Sequence, residues 1–357
     1  MFTNGSTVRI GLYGCNMYRT RDLLNGLQKV AAGRFKVTAC LDIDRTKADF
    51  AAETYGGAAF DKEDDFLSQD FDVAIISLPA YLHAGAFART SRAGKDMYLE
   101  KPVCVNAEGR QTLIDAAAQF PTWCYVGLSY RFIAPFRKAA EILRRPESGP
   151  VIGMHHHWLA PGFSESQTPE SNWRNRLEHS GGQLIHHCCH VLDWMRWIGG
   201  EVTAVTASTY TPPGAPLPHE ERELTACLEF ARGGTAVFNL SQHSHQYNQF
   251  GTIHAQNVGL SYQWGTNTFV KEYHQRPRAA DVTHEWSLTP APNDGSDAER
   301  TANQMADFFN TYTSREPPTC TLADGIAAYD IAVAIRKSYA LGRKVAVAEV
   351  VPEAVGV

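Results

Sequence analysis

The sequence predicts an α/β protein of two domains, and three observations point to it. The chain has 357 residues, whereas one typical domain has roughly 100–200. Over the first third, short apolar runs alternate with amphipathic stretches, as in a doubly wound parallel sheet covered by helices. After residue 150 the runs become β-rich and alternating, which is typical of a large open, mainly antiparallel sheet. We therefore expect a boundary near 120–150, with domains over residues 1–122 and 123–357.

The first domain is expected to place its strands and helices in strict alternation. Helices are predicted over 17–32, 45–55, 81–93 and 106–119. Because the intervening runs are continuously apolar, their strands should be buried on both faces, and right-handed crossovers then give a doubly wound sheet. A mixed sheet of another order is the alternative. The predicted strands are 8–12, 36–41, 73–78, 97–99 and 123–128.

The second domain is expected to be a helix followed by the open sheet and two closing helices. The first helix is predicted over 182–198, and the closing helices over 297–314 and 321–341, where packing back on the first domain is possible. Turn residues such as those at 232–234 separate the strand runs. The clearest of these runs are 224–230, 235–240 and 250–255.

Composition excludes several classes of protein. With 44% hydrophobic and 20% charged residues, the chain can bury a large core, unlike a disordered protein. A net charge of −5 gives no footprint for nucleic acid or an anionic membrane, so the partner should be a small molecule. We see no secretory signal and no apolar run long enough to span a membrane. Eight cysteines without a CxxC pair indicate reduced thiols and a cytoplasmic protein.

The turn after the first strand resembles a damaged phosphate-binding turn. Such a turn needs glycines where the backbone approaches a pyrophosphate at a helix N-terminus. Gly14 stands at the first glycine position, but Asn16 and Arg19 replace the second and third. Asparagine tolerates left-handed backbone conformations, so the turn is expected to survive at Asn16. Arg19 would direct positive charge toward a phosphate.

Asp42 ends the second predicted strand, 28 residues after Gly14. An acidic side chain there would hydrogen-bond an adenosine ribose and repel a 2′-phosphate. NAD is therefore favoured as cofactor, while the neighbouring Arg45 leaves NADP open. The alternative is that Asp42 is only the N-cap of the following helix.

Several motifs together resemble the glucose-fructose oxidoreductase, inositol dehydrogenase and rhizopine-catabolism family, written Gfo/Idh/MocA. The most specific is Glu100-Lys101-Pro102 at the end of a predicted strand, preceded by Ala93-Gly94-Lys95. Similar runs lie at 76–83, 126–135, 180–193 and 324–342.

This resemblance implies a Rossmann domain and a C-terminal α/β domain whose open sheet forms a homodimer or homotetramer. It also implies hydride transfer between nicotinamide and a sugar or cyclitol. Lys101 would lie between the two, where an ammonium stabilises a developing alkoxide. The alternative is a surface lysine paired with Glu100. The candidate cofactor-binding residues are Gly11, Gly14, Cys15, Asn16, Met17, Asp42, Ser77, Leu78, Pro79, His83, Glu100 and Lys101. For His83, a local hydrogen bond at a helix start is the alternative.

His186 and His190 are the other candidate catalytic residues. In the family an aspartate and a histidine occupy these two positions, so His190 matches and His186 departs. A spacing of four places both on one helix face, with Asp193 a turn further on. We expect His190 to accept the substrate proton, and His186 to hydrogen-bond a hydroxyl or share a proton with His190.

A zinc site is the alternative for the histidines and cysteines at 186–190, because imidazole and thiolate are common zinc ligands. His155 and His157 share one face of a probable strand upstream. The family generally works without a metal, and no zinc-protease motif is present. We therefore expect no metal, with Cys188 and Cys189 as packed small residues.

The substrate side is expected to use an aromatic face with hydrogen-bond donors, which suits a pyranose ring. The segment 158–180 holds Trp173 and Arg174 in a predicted loop, and loops commonly carry binding residues. Trp173 as a hydrophobic plug and Arg131 as a surface salt-bridge partner are the alternatives. The candidate substrate-binding residues are Lys101, Tyr130, Arg131, His157, Trp173, Arg174, His186 and His190.

Three functions follow from these residues. The first is an NAD(P)-dependent dehydrogenase or reductase acting on a sugar, glycoside or cyclitol hydroxyl. The second is a redox-neutral glycosidase or epimerase, in which transient oxidation acidifies a neighbouring carbon. The third is a sensor that kept the fold and lost catalysis, motivated by the broken glycine pattern and by Leu78, Ala80 and His186.

Overall fold

The computed structural model describes residues 7–16, 18–161, 172–213, 221–265, 267–274, 282–288 and 298–350. Within them the chain divides into two compact units. The first comprises residues 1–129, 178–181 and 298–326, and the second comprises 130–177, 182–297 and 327–357. The predicted division was a single boundary at residue 122. In the structure the first unit also includes the strand after residue 122 and a segment from the C-terminal part of the chain.

The first unit is a six-stranded parallel sheet with the order β3-β2-β1-β4-β5-β6. The central strands are buried on both faces, which explains their continuous apolar sequences. The strands are β1 (Val8–Tyr13), β2 (Phe35–Leu41), β3 (Ala58–Phe60), β4 (Val73–Ile76), β5 (Asp96–Leu99) and β6 (Cys124–Val126).

Helices connect these strands as predicted, with one addition. The predicted helices correspond to α1 (Arg19–Ala31), α2 (Arg45–Tyr55), α4 (His83–Arg92) and α5 (Ala107–Gln119), and between them lies a short α3 (Glu63–Leu67). Neither β3 nor α3 was predicted. Each is only three to five residues long, which is too short to show a helical or strand period.

The second unit is built on a nine-stranded sheet with the order β14-β13-β12-β11-β7-β10-β9-β8-β15. Every neighbouring pair is antiparallel except β7 and β10, which run parallel. The predicted α/β fold, with a parallel sheet and a mainly antiparallel one, is confirmed. The strands are β7 (Val151–Leu159), β8 (Val202–Tyr210), β9 (Glu223–Phe230), β10 (Thr235–Ser241), β11 (Asn248–Ala255), β12 (Val258–Trp264), β13 (Thr268–His274), β14 (Val282–Leu288) and β15 (Val345–Ala346).

One face of this sheet is packed and the other is not. Along β9, β10, β11 and β12, buried residues alternate with partly exposed ones. Helices α6 (Ala134–Leu143) and α9 (Cys189–Gly199) pack on the buried face. We call the other surface the open face; it carries His155, His157 and Cys227. The prediction that His155 and His157 share a face is confirmed.

The predicted helix over 182–198 is wrong, because the chain forms two helices there. They are α8 (Gly182–His186) and α9, separated by a turn at His187 and Cys188. The amides of these two turn residues both bond to the carbonyl of Gln183, which interrupts the regular helical ladder. A short helix α7 (Leu177–Ser180) precedes them, and α10 (Ala298–Ser314) and α11 (Leu322–Leu341) close the chain. No helix in the described ranges is both long and apolar enough to cross a membrane.

Candidate active site

Gly14 makes the tight turn at the end of β1 possible. Its φ is +94°, and a Cβ there would lie 2.5 Å from the carbonyl oxygen of Ser77. Only glycine fits such a conformation and such an approach. Gly11 lies inside β1, where a Cβ would lie 2.9 Å from the rings of Phe66 and Phe71. Glycine is therefore required there for packing, and a cofactor contact of Gly11 stays a prediction.

Asn16 does not take the left-handed conformation that we expected. In the described part of the chain, the non-glycine residue with positive φ is Arg315. The side-chain oxygen of Asn16 instead accepts hydrogen bonds from the amides of Tyr18 (2.9 Å) and Arg19 (3.1 Å). Those amides belong to the N-terminus of α1, where a phosphate would be expected to bind. Asn16 thus occupies donors that a glycine would leave open. Met17 lies outside the described residues.

Asp42 is fixed next to this turn. Its carboxylate accepts hydrogen bonds from the amides of Cys15 and Asp44, each at 3.0 Å. The alternative that Asp42 caps α2 is wrong, because Asp44 is the N-cap and accepts from the amide of Thr46. Asp42 is therefore held at the carboxyl end of β2, in the position that a ribose-binding acid requires. The side chain of Cys15 is buried, with its Sγ 3.5 Å from the carbonyl oxygen of Leu41.

The guanidinium of Arg19 pairs with Glu100, whereas we expected it to point toward a phosphate. Its Nε donates to Glu100 Oε1 at 2.7 Å, and Tyr98 Oη donates to the same oxygen at 3.1 Å. The Glu100 side chain is 7% exposed. Burial by itself raises the pKa of the Glu100 carboxyl, but the charge and hydrogen bond of Arg19 outweigh burial and hold that pKa below its usual value.

This ion pair also bears on Lys101, which follows Glu100 in the turn after β5. The alternative for Lys101 was a salt bridge with Glu100 at the protein surface. The Glu100 carboxylate is instead buried, where it forms an ion pair with Arg19. The amide of Lys101 lies 3.3 Å from Glu100 Oε2. Lys101 itself is partly exposed, so a buried carboxylate anchors the backbone of an accessible lysine.

His83 ties two loops together. The ring is 1% exposed, with Nδ1 at 2.6 Å from the carbonyl oxygen of Pro102 and Nε2 at 2.9 Å from that of Leu78. Burial lowers the pKa of His83, although both carbonyls favour the charged ring. Both ring nitrogens are thus engaged inside the protein, so His83 is better placed to position the Ser77–Pro79 and Glu100–Pro102 loops than to bind a ligand.

In the second unit, His186 and His190 do not share one helix face. His186 is the last residue of α8, and His190 lies in the first turn of α9. His186 is 7% exposed, and His190 is more accessible. Trp173 lies edge-on to His186, with ring centroids 5.5 Å apart, and Arg174 covers the Trp173 ring at 4.6 Å. These contacts join three predicted residues into one cluster.

His190 is stacked on Tyr130. The two rings are nearly parallel, at 3°, with centroids 4.9 Å apart. Tyr130 also contacts Trp158 of β7, whose side chain points to the buried face. His157, the neighbour of Trp158, therefore points to the open face, where it stacks on Phe250. The prediction that His157 binds substrate together with His190 is wrong, because the two lie on opposite sides of the sheet.

Arg131 and Asp193 form a buried ion pair. Arg131 Nε and Nη2 donate to the two Asp193 oxygens at 2.9 and 2.5 Å, and the two side chains are 2% and 0% exposed. The surface salt bridge considered for Arg131 is therefore wrong. Asp193 lies about one turn after His190 on α9, as predicted, whereas His186 belongs to α8. The ion pair fixes α9, and with it His190, to the turn that carries Tyr130.

Helix α8 is held by residues that were not predicted to belong to the site. Glu221 is 2% exposed and accepts hydrogen bonds from Arg336 Nε (2.6 Å), Tyr339 Oη (2.9 Å) and the Leu184 amide (3.4 Å). A Cβ on Gly182 would lie 2.6 Å from Arg336 Nη2. The paired glycines at 181–182 were the local signal of this close approach. Within the described ranges, no group of three or more potential ligands is arranged to hold a metal ion.

Two models of known protein families match this chain. The model of an oxidoreductase family with an NAD-binding Rossmann fold matches residues 8–128, and the GFO/IDH/MocA C-terminal domain matches residues 136–260. The chain belongs to the GFO/IDH/MocA family. The first unit accordingly matches an NAD-binding Rossmann domain, and the family model that it matches is described as an oxidoreductase family.

Individual relatives of this GFO/IDH/MocA chain are distant. An uncharacterized oxidoreductase of Streptococcus pneumoniae is 25% identical over 63% of this chain and 60% of its own length. Inositol 2-dehydrogenase of Rhizobium meliloti is 23% identical over 88% of this chain and 92% of its own. A solved structure of levoglucosan dehydrogenase in complex with NADH and L-sorbose has a TM-score of 0.80 at 20% identity, covering 96% of this chain and 99% of that one. This last likeness shows the fold.

Proposed function

We propose that the protein is an NAD-dependent dehydrogenase that acts on a hydroxyl group of a sugar or cyclitol. The observation that carries this proposal is the Glu100–Pro102 corner. There Arg19 bonds the Glu100 carboxylate and His83 bonds the Pro102 carbonyl, on either side of Lys101, which is partly exposed. A buried ion pair is costly to assemble. Its presence behind one accessible lysine is the arrangement expected when that ammonium must be positioned for chemistry.

The residues of the first unit fit NAD. Gly14 leaves room for a close backbone approach, and Asp42 is held at the end of β2 where it can accept from ribose hydroxyls. Arg45, which left NADP open, donates to Asp49 at 2.9 Å on its own helix. An arginine engaged there is not committed to a 2′-phosphate. When bound, NAD supplies a hydride acceptor.

The protein side of the reaction needs a proton acceptor and a positive charge. We assign the first role to His190, whose imidazole takes the proton of the substrate hydroxyl as that carbon becomes a carbonyl. Lys101 donates a hydrogen bond to the same oxygen and stabilises its negative charge. His186 lacks the charge of the family's aspartate, so its role is to hydrogen-bond a neighbouring hydroxyl. Tyr130, Trp173 and Arg174 complete the proposed substrate contacts.

The sugar or cyclitol class is supported by relatives and by side-chain chemistry. Inositol 2-dehydrogenase and levoglucosan dehydrogenase are both named for polyhydroxylated rings. The cluster of Trp173, Arg174 and His186 offers an aromatic surface beside hydrogen-bond donors. Because Arg174 covers one face of Trp173, a ring would contact the edge or the other face.

We further propose that a second copy of the chain covers the open face, giving a homodimer or homotetramer. Seven of the eight cysteine side chains are buried and Cys227 is partly exposed, and we propose a reducing compartment such as the cytoplasm.

A redox-neutral reaction is the second candidate, as a glycosidase or epimerase. A relative from Mediterraneibacter gnavus that is 23% identical over 50% of this chain is named 2,7-anhydro-N-acetylneuraminate hydratase rather than a dehydrogenase. His186 in place of aspartate also supports altered chemistry. The sensor alternative rests on Asn16, which occupies amides that a phosphate would use.

One experiment separates these candidates. The purified protein is incubated with NAD and a panel of pyranosides and inositols, while nicotinamide absorbance and substrate mass are followed together. Rising absorbance with loss of two hydrogens from one substrate supports the dehydrogenase. A changed substrate at constant absorbance supports redox-neutral chemistry. Absence of NAD and NADP binding by calorimetry would leave the sensor.

Lys101→Ala provides the residue-level check. We expect turnover to fall by orders of magnitude because the charge on the substrate oxygen loses its partner, with NAD binding retained. Lys95→Ala is the matched control, since Lys95 bonds to the carbonyls of Gln69 and Phe71. An unchanged turnover rate in Lys101→Ala would contradict the proposed role of Lys101.

A further inference from the structure

A network of buried polar side chains lies on the packed face of the second unit's sheet and includes Tyr130. Gln249 Nε2 donates to Tyr130 Oη at 2.8 Å. Gln249 Nε2 also lies 3.2 Å from Tyr247 Oη. Gln249 Oε1 lies 3.2 Å from His156 Nε2, and His156 Nδ1 lies 2.9 Å from Tyr262 Oη. The side chains of Tyr130, Gln249, His156 and Tyr262 are between 0% and 4% exposed. Such a network in an otherwise aromatic core is expensive unless all its members are satisfied.

The chemistry of each group sets the direction of the hydrogen bonds in this network. His156 is neutral, because burial lowers its pKa to about 3. With the Gln249 oxygen facing it, the Nε2 of His156 carries the proton and donates, and Nδ1 accepts from Tyr262. The amide nitrogen of Gln249 then points away from His156 toward Tyr130. The position of the Tyr130 hydroxyl is therefore set by residues that lie on three different strands or turns.

Tyr130 passes this constraint to His190. Its ring lies flat against the imidazole, at 3° and 4.9 Å between centroids. Phe136, Trp158 and Trp264 surround the Tyr130 ring, with centroids at 5.6, 6.2 and 6.0 Å. These contacts limit where the ring can go, and the hydrogen bond from Gln249 fixes its tilt within that space.

We propose that Gln249, backed by His156, is a positioning residue that holds Tyr130 flat against His190 and thereby sets the plane of the imidazole. The inference rests on the role proposed above for His190 as proton acceptor. Proton transfer requires an aligned ring nitrogen, and a misplacement of about 1 Å costs up to about 100-fold in rate. Gln249 belongs to none of the family motifs, and it is 119 residues from Tyr130 in the sequence.

The test uses two variants that remove the hydrogen bond from opposite ends. Gln249→Met keeps the length of the side chain without its donor, and Tyr130→Phe keeps the ring without its hydroxyl. The matched control is Gln256→Met, on the exposed turn after β11 in the same unit. Should Gln249→Met fail to fold, Tyr130→Phe still gives the result, because it preserves the volume of the core.

The first readout needs no substrate. In protein labelled with 13C at histidine Cε1, the His190 signal is assigned by its loss in His190→Gln. The Tyr130 ring should shield the proton bound to Cε1 of His190. Gln249→Met and Tyr130→Phe should therefore shift the His190 signal by a similar amount, whereas Gln256→Met should leave the signal in place. An unchanged His190 signal in Gln249→Met and Tyr130→Phe overturns the inference.

The second readout is turnover with the substrate that the panel identifies. We expect kcat to fall about tenfold or more in each variant, with KM for NAD unchanged, and the double variant to be no slower than the slower single one. Independent effects that multiply in the double variant would also overturn the inference. Normal turnover in His190→Ala would refute the proposed function instead, while the resonance shift would still report whether Gln249 sets the stack.

Discussion

Replacing Arg19 with alanine should destabilise the first unit in a pH-dependent way. Glu100 is 7% exposed and Arg19 is 27% exposed, and they meet at 2.7 Å. Removing one partner of a buried pair costs about 3–5 kcal/mol, because the remaining charge stays buried and uncompensated. A unit of this size loses about 2–4 °C in Tm per kcal/mol. We therefore expect Arg19→Ala to lower the Tm by about 6–20 °C at pH 7.5.

The sign of the pH dependence follows from Glu100. In the native protein its pKa is lowered, so its contribution to stability is present above the unfolded pKa of about 4.5 and is lost as pH falls. Without Arg19, burial dominates and should raise the folded pKa above the unfolded one. The penalty then grows as pH rises from about 4.5, by up to about 1.4 kcal/mol per pH unit. The Tm difference should be smaller at pH 5.0 than at pH 7.5.

Differential scanning calorimetry at the two pH values measures both effects. Arg21→Ala is the control, since Arg21 and its neighbour Asp22 are each 53% exposed and 3.9 Å apart, where a pair contributes little. Adding Glu100→Gln to Arg19→Ala should recover most of the loss by removing the buried charge. A Tm within 2 °C of the native protein, or an equal loss at both pH values, would refute this reasoning.

Three further predictions concern other parts of the chain. Asn16→Asp should leave Tm unchanged or raise it, since a carboxylate is stabilising at a helix N-terminus. The same variant should bind NAD at least about tenfold more weakly in calorimetry, because the carboxylate repels the pyrophosphate. Equal NAD affinity would contradict a phosphate site at the N-terminus of α1. Because the pKa of buried His156 is lowered to about 3, the free energy of unfolding should fall by about 2 kcal/mol between pH 6.5 and 5.0. This pH dependence should be weaker in His156→Gln. The same pH dependence in both proteins would contradict its assignment to His156. Cys227 is the most accessible of the eight thiols, so it should react first with a disulfide reagent, and faster on dilution if a second copy covers the open face. Rapid modification of several thiols would show that the packing described here is wrong.

Much of the fold follows from the sequence because two-sided burial leaves a clear trace. The predicted strands at 8–12 and 36–41 correspond to β1 and β2, most of whose residues are apolar. The break between α8 and α9 leaves no such trace, because the buried pattern continues through it and both turn residues remain at least partly buried. A short interruption inside an apolar stretch is set by tertiary contacts rather than by local propensity.

The candidate site likewise contains residues that local sequence predicts and contacts that it does not. Gly14, Asp42 and the Lys101 corner are local motifs, and each could be found from its neighbours in sequence. The contacts of Arg19 with Glu100 and of Gln249 with Tyr130 span 81 and 119 residues, so they depend on strand order and register. The three consecutive histidines at 155–157 show the difficulty most clearly. A period of two places neighbours on opposite faces, but three identical residues give no sign of which face is the packed one.

The first unit is completed by a late part of the chain, and this has a consequence for synthesis. Helix α10 packs on α1, Tyr312 donates to the carbonyl of Asp72, and the amide of Val126 donates to the carbonyl of Cys320. A ribosome that has finished residues 1–129 must add nearly two hundred more before these partners emerge, which takes about 10–40 s at typical rates of about 5–20 residues per second. During that interval the face of α1 that α10 will cover remains exposed to chaperones. A fragment ending at residue 129 should therefore be poorly soluble when expressed alone.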